Sequence, residues 1–446
     1  MTSSIRDAGR VSPGEGAGRT RLVLILGLLT ALGPFTVDMY LPALPTITRH
    51  FHTTDTAVQL TLTGTLTGLA IGQLVAGPLS DIYGRRKPLV AGTFLHVSAS
   101  VACFFAPSIA ALGAFRTLQG LGAAATGVIA MAVVRDLFTG RAAAVVLSRL
   151  MLVMGVAPIL APSVGGLVSG AISWQGVFLV LAVLGAGMMA LGGCALPETL
   201  PPDARAGRGI SQVLNGYGRL IRDPQFVVLV LVCGLGRSVL WAYIAGSSFV
   251  MQGQFGLSSV SYGFAFAAGG VALIGASQVN VALLTRWSPL RISLVSLLVS
   301  TIVGGGFVVL SALRAGGFPG FAVPVLVLLF ATGFVMPNAP ALALSRHGGV
   351  AGTAAATVGF AQFGAAGVVA PIVGLLGNTS LAVAITMTAA ATLAFTVLAL
   401  MSISRRERPR ARGQDGQNVV RSGPVWATEP AHPVARYHAP TDRCRR

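Results

Sequence analysis

Residues 77–89 read GPLSDIYGRRKPL. A Gly-Pro pair, one acid, a second Gly and three consecutive cations stand between two strongly apolar stretches, in a chain of 446 residues of which only 10% are charged. Hydrophobic residues make up 54% of the chain even with its 57 glycines left out of that count. The mean hydropathy of +0.77 is far above that of a soluble domain. A helix needs about 20 apolar residues to cross a bilayer, and such stretches recur on both sides of the loop without the ten-residue alternation of a membrane barrel. The sequence predicts an all-α polytopic membrane protein.

Twelve spans are expected, at 22–44, 57–79, 88–106, 109–134, 143–171, 174–196, 226–250, 260–285, 291–313, 319–344, 353–376 and 380–403. The first follows a polar, Arg-bearing tail and shows no small-residue cleavage site, so it reads as a retained signal anchor. With both termini cytoplasmic, one side of the membrane collects Arg6, Arg10, Arg19, Arg21, Arg85, Arg86, Lys87, Arg135, Arg141, Arg149, Arg205, Arg208, Arg219, Arg222, Arg286, Arg291, Arg346 and the Arg-rich tail. The opposite loops hold Arg49 and Arg314. That asymmetry follows the positive-inside rule for an even number of spans. The net charge of +18 is therefore a topology signal, and no nucleic-acid partner is expected.

The longest polar interruption divides the chain into a cytoplasmic N-terminal tail (1–21), a six-helix half (22–196), a linker (197–225), a second six-helix half (226–403) and a basic tail (404–446). APSVGGL at 161–167 resembles APIVGLL at 370–376, and RRKPL ending at Leu89 has a decayed counterpart in WSPL ending at Leu290. Both pairs lie roughly 200 residues apart, as a duplication of halves would place them. The tail lacks an apolar period and is expected to be disordered, either merely solvated or held against anionic lipid headgroups. Cys103, Cys194 and Cys233 fall inside expected helices and Cys444 in the tail, so no disulfide framework is implied.

The quoted loop, between spans 2 and 3, resembles the signature loop of the major facilitator superfamily, with Gly77, Asp81, Gly84, Arg85 and Arg86 in the pattern. Asp81 is expected at the N-terminus of a helix in the other half, where the macrodipole favours an anion. Gly84 is expected to make the tight turn that sets Arg85 beside an acid at the end of span 4, Asp136. The alternative is a purely topogenic basic loop, which accounts for the cations but for neither Asp81 nor Gly84. TVDMYLPALP (36–45), RTLQGLGAAA (116–125), VRDLF (134–138), MLVMGVAPILAPSVGG (151–166), LPETLP (196–201), WAYIAGSSFV (241–250) and GFVMPNAPALAL (333–344) together resemble the bicyclomycin and chloramphenicol resistance (Bcr/CflA) branch of bacterial drug:proton antiporters. The similarity spans roughly residues 22–403. Arg237 and the basic tail lie outside the branch pattern.

Asp38, Arg116 and Arg237 are charged residues well inside expected spans, and each is a functional candidate because an ion in the membrane is costly without a partner or water. Asp38, the single carboxylate inside a span, is the proton-carrier candidate; the alternative is a helix-end cap near Pro42 and Pro45. The resemblance places Arg116 in the core facing span 1, where it would hold Asp38, donate to substrate, or bond span-1 carbonyls. Arg237 sits about 11 residues into span 7, roughly 16 Å at 1.5 Å per residue, too deep to snorkel. In span 5, Gly155, Pro158, Pro162, Gly165 and Gly166 resemble the family's antiporter signature, a smooth face for gating between halves or for plain packing.

The fold implies a cavity lined by spans 1, 4, 7 and 10, with Asp38, Arg116, Gln119, Trp241, Tyr243 and Asn338 as substrate candidates and Gln362 and Phe363 added from span 11; the aromatics also suit ordinary core packing. The histidines are scattered without metal spacing, and no nucleophile, phosphate loop or carboxylate pair appears, so neither an enzyme nor a cofactor is expected beyond protons as coupling ion. His96 reads as an ordinary core residue. The expected function is export of neutral or zwitterionic drug-like molecules, such as amphenicols or bicyclomycin, in exchange for protons, by a monomer in contact with membrane lipids. The alternatives are transport of a native metabolite such as a sugar, amino acid or secondary metabolite, and a non-transporting membrane sensor on the same fold.

Overall fold

The computed structural model describes residues 13–138, 140–200, 210–345 and 351–411. Its helices are α1 (Pro13–Asp38), α2 (Leu44–His50), α3 (Asp55–Tyr83), α4 (Arg86–Phe104), α5 (Ile109–Leu137), α6 (Gly140–Ala171), α7 (Trp174–Cys194), α8 (Ile210–Ile221), α9 (Pro224–Ser248), α10 (Ser259–Leu283), α11 (Pro289–Ala312), α12 (Gly317–Leu344), α13 (Ala351–Leu375) and α14 (Ser380–Ala411). Among the described residues, twelve helical stretches are long and apolar enough to cross a membrane. The helices begin where the sequence supplies caps. Thr54, Ser108, Ser173, Ser258 and Ser288 accept from backbone N–H groups three residues on, and Asp223 from that of Gln225. Such caps satisfy donors that a helix start leaves orphaned.

Four boundaries differ from expectation. The first span is α1, a 3-10 turn at Leu41–Ala43 and α2, because Pro42 and Pro45 cannot donate to a continuing helix. The seventh continues past α9 as a π-helical turn over Phe249–Gln254. The linker contains α8, whose Val213, Leu214, Tyr217, Leu220 and Ile221 repeat at helical spacing. Leu220 is buried, and Tyr217 donates its hydroxyl to the Leu74 carbonyl at 3.4 Å. The last helix runs on to Ala411, into the stretch assigned to the tail; the rest of the tail and Cys444 lie outside the described residues.

Residues through Met401 form one compact unit. Large apolar side chains such as Leu24, Phe94 and Val183 are more than 60% exposed, as befits a lipid-facing surface, whereas the closest helix approaches are made at glycines. A Cβ on Gly68 of α3 would lie 2.1 Å from the Thr117 carbonyl oxygen of α5, and one on Gly120 of α5 would lie 2.1 Å from that of Thr65. Only glycine permits this approach. Helix α3 also packs on α13, and α6 on α10, joining the first six spans to the second six.

Candidate functional site

At the arginine-rich end, Gly84 adopts φ +86°, a conformation favouring glycine, and turns the chain between α3 and α4. Arg85 is buried there. Its Nε donates to Asp136 Oδ2 at 2.8 Å, its Nη2 to Asp136 Oδ1 at 3.2 Å, and its Nη1 to Asp81 Oδ1 at 2.5 Å and Ser80 Oγ at 2.8 Å. Burial pulls the basicity of Arg85 down, but its hydrogen bonds to Asp136 and Asp81 outweigh it and hold the guanidinium above its ordinary value. The pairing expected between Arg85 and Asp136 is present. Asp81 bonds Arg85, four residues on. Glu198 is a carboxylate at a helix N-terminus, accepting from the backbone N–H groups of Arg85 at 2.9 Å and Arg86 at 3.3 Å where α4 begins. Thr199 adds a hydroxyl bond to Asp136 at 2.9 Å, and Arg86 bonds the Gly193 carbonyl. LPETLP thus belongs to this cluster, which its sequence distance from the loop concealed. Gly77 has ordinary room for a Cβ, so packing does not demand glycine there.

In the middle of the first six spans, Arg116 is 0% exposed and does not pair with Asp38. Its Nη1 donates to the Thr36 carbonyl at 2.9 Å and to Gln119 Oε1 at 2.6 Å. The guanidinium lies 4.2 Å from the centroid of the Tyr40 ring, a cation–π contact. Gln119 continues to Ser100 Oγ at 2.7 Å, and Thr36 Oγ1 meets His96 Nε2 at 2.9 Å. Of the readings open for Arg116, the carbonyl bond to span 1 is the one its geometry displays.

Asp38, 4% exposed, closes α1. Its cationic neighbour is Arg237 of α9, with which it interacts electrostatically across the two sets of six spans without forming an ion pair. Arg237 lines a cleft of about 180 Å³ with Gly236, Val335, Met336, Ala339 and Gln362. Trp241 packs on Phe363 at 5.8 Å between ring centroids. Tyr243 stacks on Phe266 at 4.9 Å, and Asn338 donates to Asn280 Oδ1 at 2.7 Å. Of the eight substrate candidates, Arg116 and Gln119 share one network, Gln362 lines the cleft with Arg237, Trp241 and Phe363 pack together, Tyr243 stacks on Phe266 and Asn338 bonds Asn280.

The α6 candidates make close contacts. A Cβ on Gly165 would lie 2.1 Å from the Met39 carbonyl oxygen, one on Gly166 2.5 Å from that of Ser259, and one on Gly155 3.2 Å from Ile274. Pro158 and Pro162 lie inside an unbroken α6. At the arginine-poor end, Thr56 donates to the Gly374 carbonyl at 3.1 Å, Ser248 to that of Leu41 at 2.6 Å, and Gln252 to that of Pro42 at 3.2 Å. Gln59 donates to the Ala245 carbonyl at 2.9 Å and also bonds Asn378. All five bonds join the first six spans to the second six. Sequence reasoning missed Gln59 and Asn378, which read as unremarkable polar residues at span ends.

The family model of the Major Facilitator Superfamily matches residues 26–371. The chain belongs to that superfamily. This transporter is 34% identical over 370 residues to the uncharacterized MFS-type transporter YdgK of Bacillus subtilis, covering 82% of this chain and 91% of the relative. It is 29% identical to a bicyclomycin resistance protein homolog of Haemophilus influenzae (86% and 94% covered) and 30% identical to a chloramphenicol resistance protein of Pseudomonas aeruginosa (88% and 92% covered). A partially occluded, inward-open xylose transporter of Escherichia coli shares the fold, with TM-score 0.67, 13% identity, and 85% and 97% coverage. This superfamily member is accordingly a multi-pass membrane protein.

Proposed function

We propose that this superfamily member exports small drug-like molecules, neutral or zwitterionic, in exchange for protons across the bacterial inner membrane, with its arginine-rich end in the cytoplasm. The observation that carries the reading is Asp38. It is the single carboxylate inside an expected span, it is buried, and the cation in its electrostatic range sits on the opposing six spans. A carboxyl that is neutral in one state and charged in the next couples proton and substrate occupancy to the opening of one end or the other. The hydrogen bonds at the arginine-poor end close one exit, so substrate exchange there takes a rearrangement of the two sets of spans. The resistance names of the relatives support drugs as the cargo. The test is the drug susceptibility of a pump-deficient bacterium expressing the chain, with proton release measured when chloramphenicol is added to inverted vesicles. Raised resistance with proton release is expected; neither appearing at normal expression would overturn the reading.

A further inference from the structure

Arg237 is a guanidinium deep in a membrane helix with no hydrogen-bond partner among the described residues, and its Nε is buried and unsatisfied. One helical turn on, Trp241 Nε1 is also a buried donor without an acceptor. Residues four apart share a helix face, so these two orphaned donors are neighbours. Arg237 opens onto the cleft with Gln362, while Phe363 packs against Trp241. Leaving such donors unpaired in a membrane interior is costly, and a ligand that brings acceptors relieves the cost. The matching chemistry is a planar oxyanion, which offers one oxygen to the guanidinium and a second to the indole N–H.

Asp38 faces Arg237 from the other six spans, and the further titratable side chains in its electrostatic range are Tyr243 and Tyr262. An anionic substrate alone would bind best with Asp38 protonated, which carries proton and substrate together and opposes exchange. A substrate that also bears a cation resolves this, because its ammonium competes with the proton at Asp38 while its oxyanion occupies Arg237. We infer that zwitterions are the preferred transported class, with the carboxylate or comparable oxyanion held by Arg237 and Trp241 of α9 and the ammonium directed at Asp38 of α1. This rests on the export reading above and specifies its substrate.

The test uses the purified full chain in detergent, with the fluoroquinolone ciprofloxacin as zwitterion, its methyl ester lacking the anion, and its N-acetyl derivative lacking the cation. Removing a charge-assisted hydrogen bond corresponds to about a tenfold to hundredfold loss of affinity. Ciprofloxacin is expected to bind at least about tenfold more tightly than its ester. Arg237→Gln and Trp241→Phe should bring ciprofloxacin toward the ester's affinity and leave that of the ester unchanged. The ester should still release a proton on binding, and the N-acetyl compound should not. Arg237→Lys, which keeps the charge, serves if the Gln variant does not fold, and should retain part of the preference. Equal binding of zwitterion and ester, equal weakening of both by the variants, or no binding of any of the three would overturn the inference. Proton release driven by chloramphenicol in the same preparation reports separately on the export reading.

Discussion

Arg85 holds Asp136 through two hydrogen bonds, Nε to Oδ2 at 2.8 Å and Nη2 to Oδ1 at 3.2 Å, across the 51 residues that separate them in sequence. Their side chains are 4% and 17% exposed, so removing one partner costs about 3–5 kcal/mol and leaves the other buried charge without its counter-ion. Arg85→Asp is expected to abolish transport in inverted vesicles. Arg85→Asp with Asp136→Arg should recover a part of it, limited by Asp81. A dead double variant at normal expression would argue against the pair as the working contact.

Glu198 is a cap for α4 as well as a neighbour of that pair. Glu198→Ala removes an acceptor and a favourable charge at a helix N-terminus, together about 1–2 kcal/mol. Glu198→Gln keeps an acceptor oxygen and should lose about half as much. Thermal melting of the detergent-purified protein should rank wild type above Gln above Ala, and identical melting points would remove the cap.

Close packing of α3 on α5 leaves no space at Gly68, where a Cβ would meet the Thr117 carbonyl oxygen, whereas at Gly127 it would meet nothing within 4 Å. Gly68→Val is expected to prevent accumulation of monodisperse protein in size-exclusion chromatography, and Gly127→Ala to leave it unchanged. Normal behaviour of the Val variant would contradict the observed helix approach.

The spans and the pairing of Arg85 with Asp136 were legible because each rests on a local signal: apolar run length, the glycine turn, and a cation beside an acid at the next helix end. Glu198, Gln59 and Asn378 were not legible, because a carboxylate or amide gains its role from a backbone N–H or carbonyl that arrives from 100 to 300 residues away. Composition cannot report that meeting. The same limit explains why Arg116 appeared as a partner for Asp38: both are charged and buried, yet folding engages Arg116 with the Thr36 carbonyl and the Tyr40 ring and leaves Asp38 facing Arg237. Helix α8 was hidden by its neighbours, since a short amphipathic stretch flanked by Pro, Gly and Arg reads as linker.

Gln59 joins three segments of the arginine-poor end through the Ala245 carbonyl and Asn378. Losing two hydrogen bonds of about 0.5–1.5 kcal/mol each shifts a two-state equilibrium by roughly 5- to 150-fold. In Gln59→Ala, spin labels placed at Arg49 and Arg314, in a background without native cysteines, should show a larger population at long distance. An unchanged distance distribution would mean that Gln59 does not hold this end closed.

The central claim is that Asp38 carries the exchanged proton, and proton release upon drug binding by purified Asp38→Asn tests it most directly. The Asn side chain keeps the size and most of the hydrogen-bonding capacity of a protonated Asp but cannot release its proton. Drug binding is expected to survive, proton release to vanish, and efflux driven by a pH gradient to stop, with Asp38→Glu retaining partial activity. An Asn variant that binds drug, releases protons and still concentrates drug against a gradient would place the coupling group elsewhere and contradict the account.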